Sequence, residues 1–279
     1  MAGADDGDRE SVNMPQTFFV TATGTGVGKT FVTTTLVRQL QARGVNVRAV
    51  KPIISGYPLL SYQRKLVSSG QEMLDADFRR YDEKMDDCTL ILHSLGLEIS
   101  PENIEKISPW RFAAPLSPDM AARAEDRAIS LDEVVEFCLQ SSLQAQRSNP
   151  EKQDWIATSA TPPRNDDNIL LIEGVGGVLV PLNETHTVRD WMARLNAKII
   201  LVAGTYLGSI SHTLTAIEAL AARNLRPHAL IINESEIPAA PLSEIAQSLA
   251  NFLPENISII CIPRHNEGEE IPDISGICL

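Results

Sequence analysis

The run VTATGTGVGKT at residues 20–30 constrains this chain more than any other stretch. It joins a β-prone approach (Phe18, Phe19, Val20) to a helical pattern through three glycines and a Lys-Thr pair. Gly24, Gly26 and Gly28 permit positive φ and close backbone approach, so successive N–H groups can converge on an anion. The helix that follows adds the partial positive charge of its N-terminus. Lys29 is placed to neutralise outer phosphates, and the Thr30 hydroxyl to ligate Mg²⁺. The spacing departs from Gly-x4-Gly-Lys-Thr at one point, where Thr23 stands in place of the first glycine. The coincidence of strand, glycines, Lys-Thr and helix reads as a nucleotide site.

Apolar, β-branched runs at 17–21, 45–50, 169–172, 198–202, 229–232 and 257–262 read as strands. Their near-continuous hydrophobicity is that of parallel strands covered on both faces. Helical patterns at 31–43, 131–146, 212–223 and 241–252 lie between them, with Pro241 suited to a first turn and Gly44 to a C-terminal cap. The alternation predicts one doubly wound α/β domain over 15–279, its mainly parallel sheet covered by helices on both faces, P-loop NTPase-like, with ligands along the carboxyl edge. Residues 1–14 read as a disordered tail, and the polar stretches 59–86 and 148–168 as irregular insertions.

A net charge of −12 argues against a nucleic-acid groove or an anionic membrane surface. No apolar run reaches the roughly 18–20 residues of a membrane span. The start MAGADDGDRE is unlike a secretory signal or an Arg-rich transit peptide, which points to the cytoplasm and leaves a mitochondrial location open. The four cysteines (88, 138, 261, 278) and five histidines (93, 186, 212, 228, 265) are scattered. They show no zinc-site spacing and read as reduced thiols and ordinary imidazoles.

Two further strand ends carry chemistry. Val50-Lys51-Pro52 closes the second strand and opens a loop with Ser55 and Gly56, which sets Lys51 beside the phosphate loop. Ile169–Gly174 is a hydrophobic strand ending in Glu173, followed by Val175, Gly176 and Gly177, the form of a strand that delivers an acid to Mg²⁺. Asp86 and Asp87 precede the apolar Leu90-Ile91-Leu92, where adjacent acids are ordinarily helix caps.

Taken together, VTATGTGVGKT, KPIISG at 51–56, AAPLSP at 113–118, LIEGVGG at 171–177, TYLGSISHTL at 205–214, IIN at 231–233 and the Ile262-Pro263 pair resemble the dethiobiotin synthetase family from about Thr17 to Pro263. That family's phosphate loop shares the unusual spacing. The resemblance implies ATP- and Mg²⁺-dependent closure of a ureido ring on 7,8-diaminononanoate with CO₂, a ligase step of biotin biosynthesis. It implies a homodimer, with neither nucleic acid nor membrane as partner.

By the same resemblance Lys29, Lys51 and Thr25 are catalytic, and Thr30, Asp87 and Glu173 ligate Mg²⁺, which lifts Asp87 above a capping role. ATP would meet Gly26, Val27, Gly28, Lys29, Thr30 and Phe31, then Asp87, Glu173, Gly174, Val175 and Gly176. Asn233 and Pro263 would take the adenine. Ser55 would contact the diamine, and Gly208, Ser209, Ile210 and Ser211 would hold the substrate carboxylate across the dimer interface. The helix after them offers Leu214, Ile217 and Ala221 at a spacing suited to packing. Ser211 stands where relatives often carry Asn, and Arg264-His265 replace expected apolar residues.

The same residues bear on two other classes. A cobyrinate-type amidating synthetase would need a glutamine amidotransferase domain with a nucleophilic cysteine, for which these residues leave neither room nor context. A ParA/MinD-like switch ATPase resembles a loop with an extra lysine near its start, where this chain has Thr23. Both predict ATP hydrolysis without the diamine.

Overall fold

The computed structural model describes residues 15–57, 86–146, 168–254, 256–265 and 270–279. The expected tail at 1–14 lies outside them, as do the expected insertions apart from Asp86 and Asn168.

Among the described residues six strands form one parallel sheet: β1 (Gln16–Ala22), β2 (Asn46–Val50), β5 (Asn168–Glu173), β6 (Lys198–Ala203), β7 (Pro227–Asn233) and β8 (Ser258–Ile262), in the spatial order β2-β5-β1-β6-β7-β8. Each matches an expected run to within two residues. Phe18, Phe19 and Val20 are wholly buried although they alternate faces, as a parallel strand covered on both sides requires. β1 is central, flanked by β5 and β6, so the chain reverses its direction of travel across the sheet there. The carboxyl ends of β1, β2, β5, β7 and β8 carry the residues singled out in the sequence, along the edge where such folds bind ligands.

Among the described residues the α-helices are α1 (Lys29–Ala42), α2 (Asp87–Ser94), α3 (Pro101–Ile107), α4 (Pro118–Ala124), α5 (Leu131–Gln146), α6 (Val188–Leu195), α7 (Ser209–Ala221) and α8 (Leu242–Ala250). Two begin earlier than periodicity predicts, for the same reason. Gly28 at φ 97° and Gly208 at φ 95° turn the chain directly into the first helical residue, so α1 starts at Lys29 rather than at residue 31 and α7 at Ser209 rather than at residue 212. Pro241 is a correction: it caps α8 in an extended conformation (ψ 139°) instead of occupying its first turn. Gly44 behaves as expected. At φ 77° it donates its N–H to Gln41, and Val45 donates to Leu40, which closes the end of α1.

Short elements escape periodicity. β3 (Ile53–Ser55) and β4 (Trp110–Phe112) form a two-stranded parallel sheet beside the main one. α3 and α6 are set by caps: the Ser100 hydroxyl accepts from Asn103 N–H, and the Asp190 carboxylate from Thr187 N–H. Trp191 of α6 is wholly buried and meets Phe19 edge-on, with ring centroids 4.8 Å apart. Among the described residues no helix is long and apolar enough to cross a membrane.

Candidate active site

The phosphate loop is built on Gly28. Its positive φ aims the loop into α1, and a Cβ placed there would lie 2.2 Å from Nδ2 of Asn233. Asn233, at the end of β7, supports the loop by donating that Nδ2 to the Val27 carbonyl at 3.1 Å. Thr25 and Gly26 are exposed at the loop's crown, while Val27 is buried beneath it. Lys29 is buried, and its ammonium donates to the Gly176 carbonyl at 2.7 Å and to that of Gly24 at 3.4 Å. Burial first, and the nearby Lys51 second, lower its pKa to about 8, against the opposing pull of Glu173 and Asp87.

Beside Lys29 three oxygen-bearing side chains converge. The Thr30 hydroxyl lies 2.8 Å from Glu173 Oε1 and 3.0 Å from Asp87 Oδ1, so its single proton serves one carboxylate at a time. Lys51, which follows β2, places its ammonium 2.5 Å from Asp87 Oδ2 and 2.5 Å from Glu173 Oε1. Burial alone would depress the Lys51 pKa. The two carboxylates, Asp87 foremost, outweigh it and raise the pKa. Burial would likewise raise Asp87, but Lys51 reverses the direction and holds its carboxyl below the ordinary range.

The two adjacent acids divide their work. Asp86 is the N-cap of α2, accepting from the N–H groups of Cys88 and Thr89 and from the Thr89 hydroxyl. Asp87 turns its carboxylate the other way, onto Thr30 and Lys51. Cys88, the next residue, is wholly buried, and desolvation pushes its thiol up to about 12. It has none of the character of a nucleophile.

Glu173 is also wholly buried, and its second oxygen, Oε2, has no hydrogen-bond partner among the described residues. A hydroxyl, two carboxylates and an orphaned buried acceptor are the oxygen donors a hard divalent cation takes. These residues fit Mg²⁺. Gly174 lets the chain leave β5 at this point, since a Cβ there would approach a Phe19 ring carbon to 2.7 Å.

A cleft of about 750 Å³ opens beside this cluster. One wall carries Thr25, Gly26, Gly28, Lys29, Thr30, Phe31, Val175 and Gly176. The other carries Ser55, Ile54 and Leu90, and the 115–118 segment of Pro115, Leu116, Ser117 and Pro118. Gly56 N–H donates to the Ala114 carbonyl and Tyr57 N–H to that of Phe112, which ties the Ser55 loop to this segment. Sequence reasoning noticed 113–118 only as a motif and assigned it no site residue; its Pro-Leu-Ser-Pro run before a short helix was the available signal. Val180 and Leu90 gave no signal at all.

The remaining expected residues lie off this cleft. Asn233 sits behind the phosphate loop with its Oδ1 buried and without a hydrogen-bond partner among the described residues. Pro263 is exposed after β8, where the Arg264 N–H donates to the Glu234 carboxylate at 2.7 Å. Gly208, Ser209, Ile210 and Ser211 open α7 and do not line the cleft of their own chain. Ser209 is buried, Ser211 exposed, and Leu207 before them stands 89% exposed.

A family model described as an AAA domain matches residues 16–265. The ATP-dependent dethiobiotin synthetase BioD of Acidiphilium cryptum is 40% identical over 237 residues, covering 85% of this chain and 87% of that protein. The protein of the same name from Methylobacterium nodulans is 36% identical over 248 residues, covering 89% and 93%. A ParA family ATPase from Chlorobium tepidum superposes with a TM-score of 0.44 at 15% identity, over 91% of this chain and 85% of that one, a likeness too distant to speak to activity. With a lysine-lined phosphate loop, a carboxylate pair and relatives of that identity along most of its length, the chain belongs to the family of ATP-dependent dethiobiotin synthetases.

Proposed function

We propose that this chain closes a ureido ring on 7,8-diaminononanoate with CO₂ at the expense of ATP, yielding dethiobiotin, ADP and phosphate. The observation that carries the reading is the convergence of Lys29, Lys51, Thr30, Asp87 and Glu173 beside a cleft whose far wall is apolar around Ser55. One substrate amine captures CO₂ as a carbamate and releases a proton. A carbamate oxygen attacks the γ-phosphorus as ADP leaves, and the second amine then attacks the carbonyl carbon as phosphate leaves. Carbamate and γ-phosphoryl are both anionic, so their approach requires preorganised cations.

Lys29 meets the outer phosphates from the phosphate loop, with Thr25 at the loop's crown. Lys51 faces the transferring phosphoryl group and the carbamate. Thr30, Asp87 and Glu173 hold Mg²⁺, which supplies charge neutralisation at the phosphates. Ser55 contacts the diamine, the apolar wall takes its methylene chain, and Gly174, Val175 and Gly176 bring backbone close to ATP. Asn233 and Pro263 receive the adenine. The test is ATP consumption measured with and without diaminononanoate and bicarbonate. Turnover that depends on both is expected; steady hydrolysis indifferent to the diamine overturns the reading.

Glu173→Gln should raise the Mg²⁺ concentration for half-maximal activity on the order of tenfold, since a neutral amide replaces a carboxylate at a hard-cation site. Asp87→Asn should act alike. Asp86→Asn, which keeps a cap acceptor, should leave the requirement unchanged. A Mg²⁺ titration of the three variants checks the division between the two aspartates.

We also infer a homodimer in which the Gly208–Ser211 turn completes the partner's site. α7 buries Thr213, Ala216 and Leu220 against its own chain, while Ile210, Leu214 and Ile217 remain half-exposed and Ala221 exposed, in line with the protruding Leu207. That stripe supports a two-fold contact. Mixing Lys51→Ala chains with Ser211→Trp chains, each inactive alone, should restore activity at about half the heterodimer's sites. A fully active monomer in sedimentation at assay concentration would sink this prediction and leave the chemistry standing.

A further inference from the structure

Lys51 does more than stand near the carboxylates: its ammonium contacts both, at 2.5 Å each, through oxygens of the set assigned to the divalent cation. The Lys51 side chain is almost fully buried and Glu173 wholly so, which keeps water from screening the contact between them, while the Asp87 side chain is part-exposed. The other cation of the site, Lys29, does not compete for these oxygens, since carbonyls of Gly24 and Gly176 hold it. Among the described residues, two ammonium groups against two carboxylates make the cluster formally neutral. A free divalent cation entering there would face an uncompensated ammonium at contact distance. A nucleotide triphosphate changes that balance, because its negative charge gives both lysines a better partner and leaves the carboxylates to the metal.

We propose that Lys51 bars a free divalent cation from Thr30, Asp87 and Glu173, and yields these oxygens only when nucleotide phosphate draws its ammonium away. Metal and nucleotide therefore load together. The proposal rests on reading those three residues as the cation ligands. It makes Lys51 a gate on loading in addition to a contact in the reaction.

The test uses Mn²⁺ as the probe, its free ion followed by electron paramagnetic resonance with the full chain and no nucleotide. Lys51→Met should bind Mn²⁺ at least about tenfold more tightly than the unaltered protein, as expected when a like charge is removed from contact with a bound cation. Lys51→Arg, which keeps the charge, should bind no better than the unaltered protein. Adding Glu173→Gln to Lys51→Met should abolish the gain.

A second measurement does not depend on the folding of any variant. In thermal unfolding of the unaltered protein, Mn²⁺ alone should leave the midpoint unchanged. Mn²⁺ with adenylyl imidodiphosphate should raise it beyond the analogue alone. Tight Mn²⁺ binding by the unaltered protein that Glu173→Gln removes would overturn the gate while leaving the ligand assignment intact. Mn²⁺ binding indifferent to Glu173→Gln in every background would overturn the ligand assignment itself.

Discussion

Lys51→Ala is expected to lower turnover at least about a hundredfold while leaving MgATP affinity nearly intact. The ground-state contact with phosphate that it gives up is offset by the ion pairs with Asp87 and Glu173 that no longer have to be broken, whereas the lost transition-state contact has no such offset. The side chain reaches the cluster from the end of β2 and has no polar contact with the phosphate loop, so the cradle for ATP survives its removal. The charge proposed to meet the carbamate and the transferring phosphoryl does not. The same variant should be less stable without ligand. Asp87 and Glu173 would lose their shared cation, and breaking a buried pair from one side costs about 3–5 kcal/mol. Mg²⁺ with nucleotide should recover much of that loss, which steady-state kinetics, ATP titration and thermal unfolding would together reveal. Lys29→Ala should behave differently and weaken both binding and turnover, because on the proposed assignment its phosphate contact is lost with no ion pair released in exchange, carbonyls of Gly24 and Gly176 being its partners. A Lys51→Ala protein that loses ATP binding yet keeps near-normal turnover would overturn the assignment.

The parts of this fold that periodicity could read are those where burial imposes a period. The main strands are buried on both faces, so each appears as an unbroken apolar run. Helix starts were misread by up to three residues because the entering conformation belongs to a single glycine, Gly28 or Gly208, and leaves no mark on the apolar pattern. β3 and β4, at three residues each, are too short to carry a period. At the site, the Lys51–Glu173 and Thr30–Glu173 contacts join residues more than 100 positions apart. Motifs named these residues, but only the parallel pairing of β1 and β2 with β5 brings them within contact. The apolar lining of the cleft was the least legible. Leu90 and Val180 are ordinary apolar residues in sequence, and their place at the cleft follows from tertiary packing alone.

Gly28→Ala should abolish ATP binding and destabilise the protein, through a contact that no phosphate-loop motif records. Two effects combine at this position. A non-glycine residue at φ 97° is strained by roughly 1–2 kcal/mol, as for other left-handed conformations. The new Cβ would also fall 2.2 Å from Asn233 Nδ2 and 3.3 Å from its Cγ. Asn233 must therefore leave the Val27 carbonyl that it supports, and the loop loses the prop beneath its anion-binding turn. Gly24→Ala is the informative comparison, since a Cβ there meets nothing within 4 Å and the unfolding midpoint should barely move. Adding Asn233→Ala to Gly28→Ala removes the clash but neither the strain nor the missing prop. The double variant should regain part of the stability and none of the ATP affinity, a coupling that a double-mutant cycle measures directly. If Gly28→Ala binds ATP as the unaltered protein does, Asn233 moves aside without consequence, and its support of the loop is not what holds the phosphate site in shape.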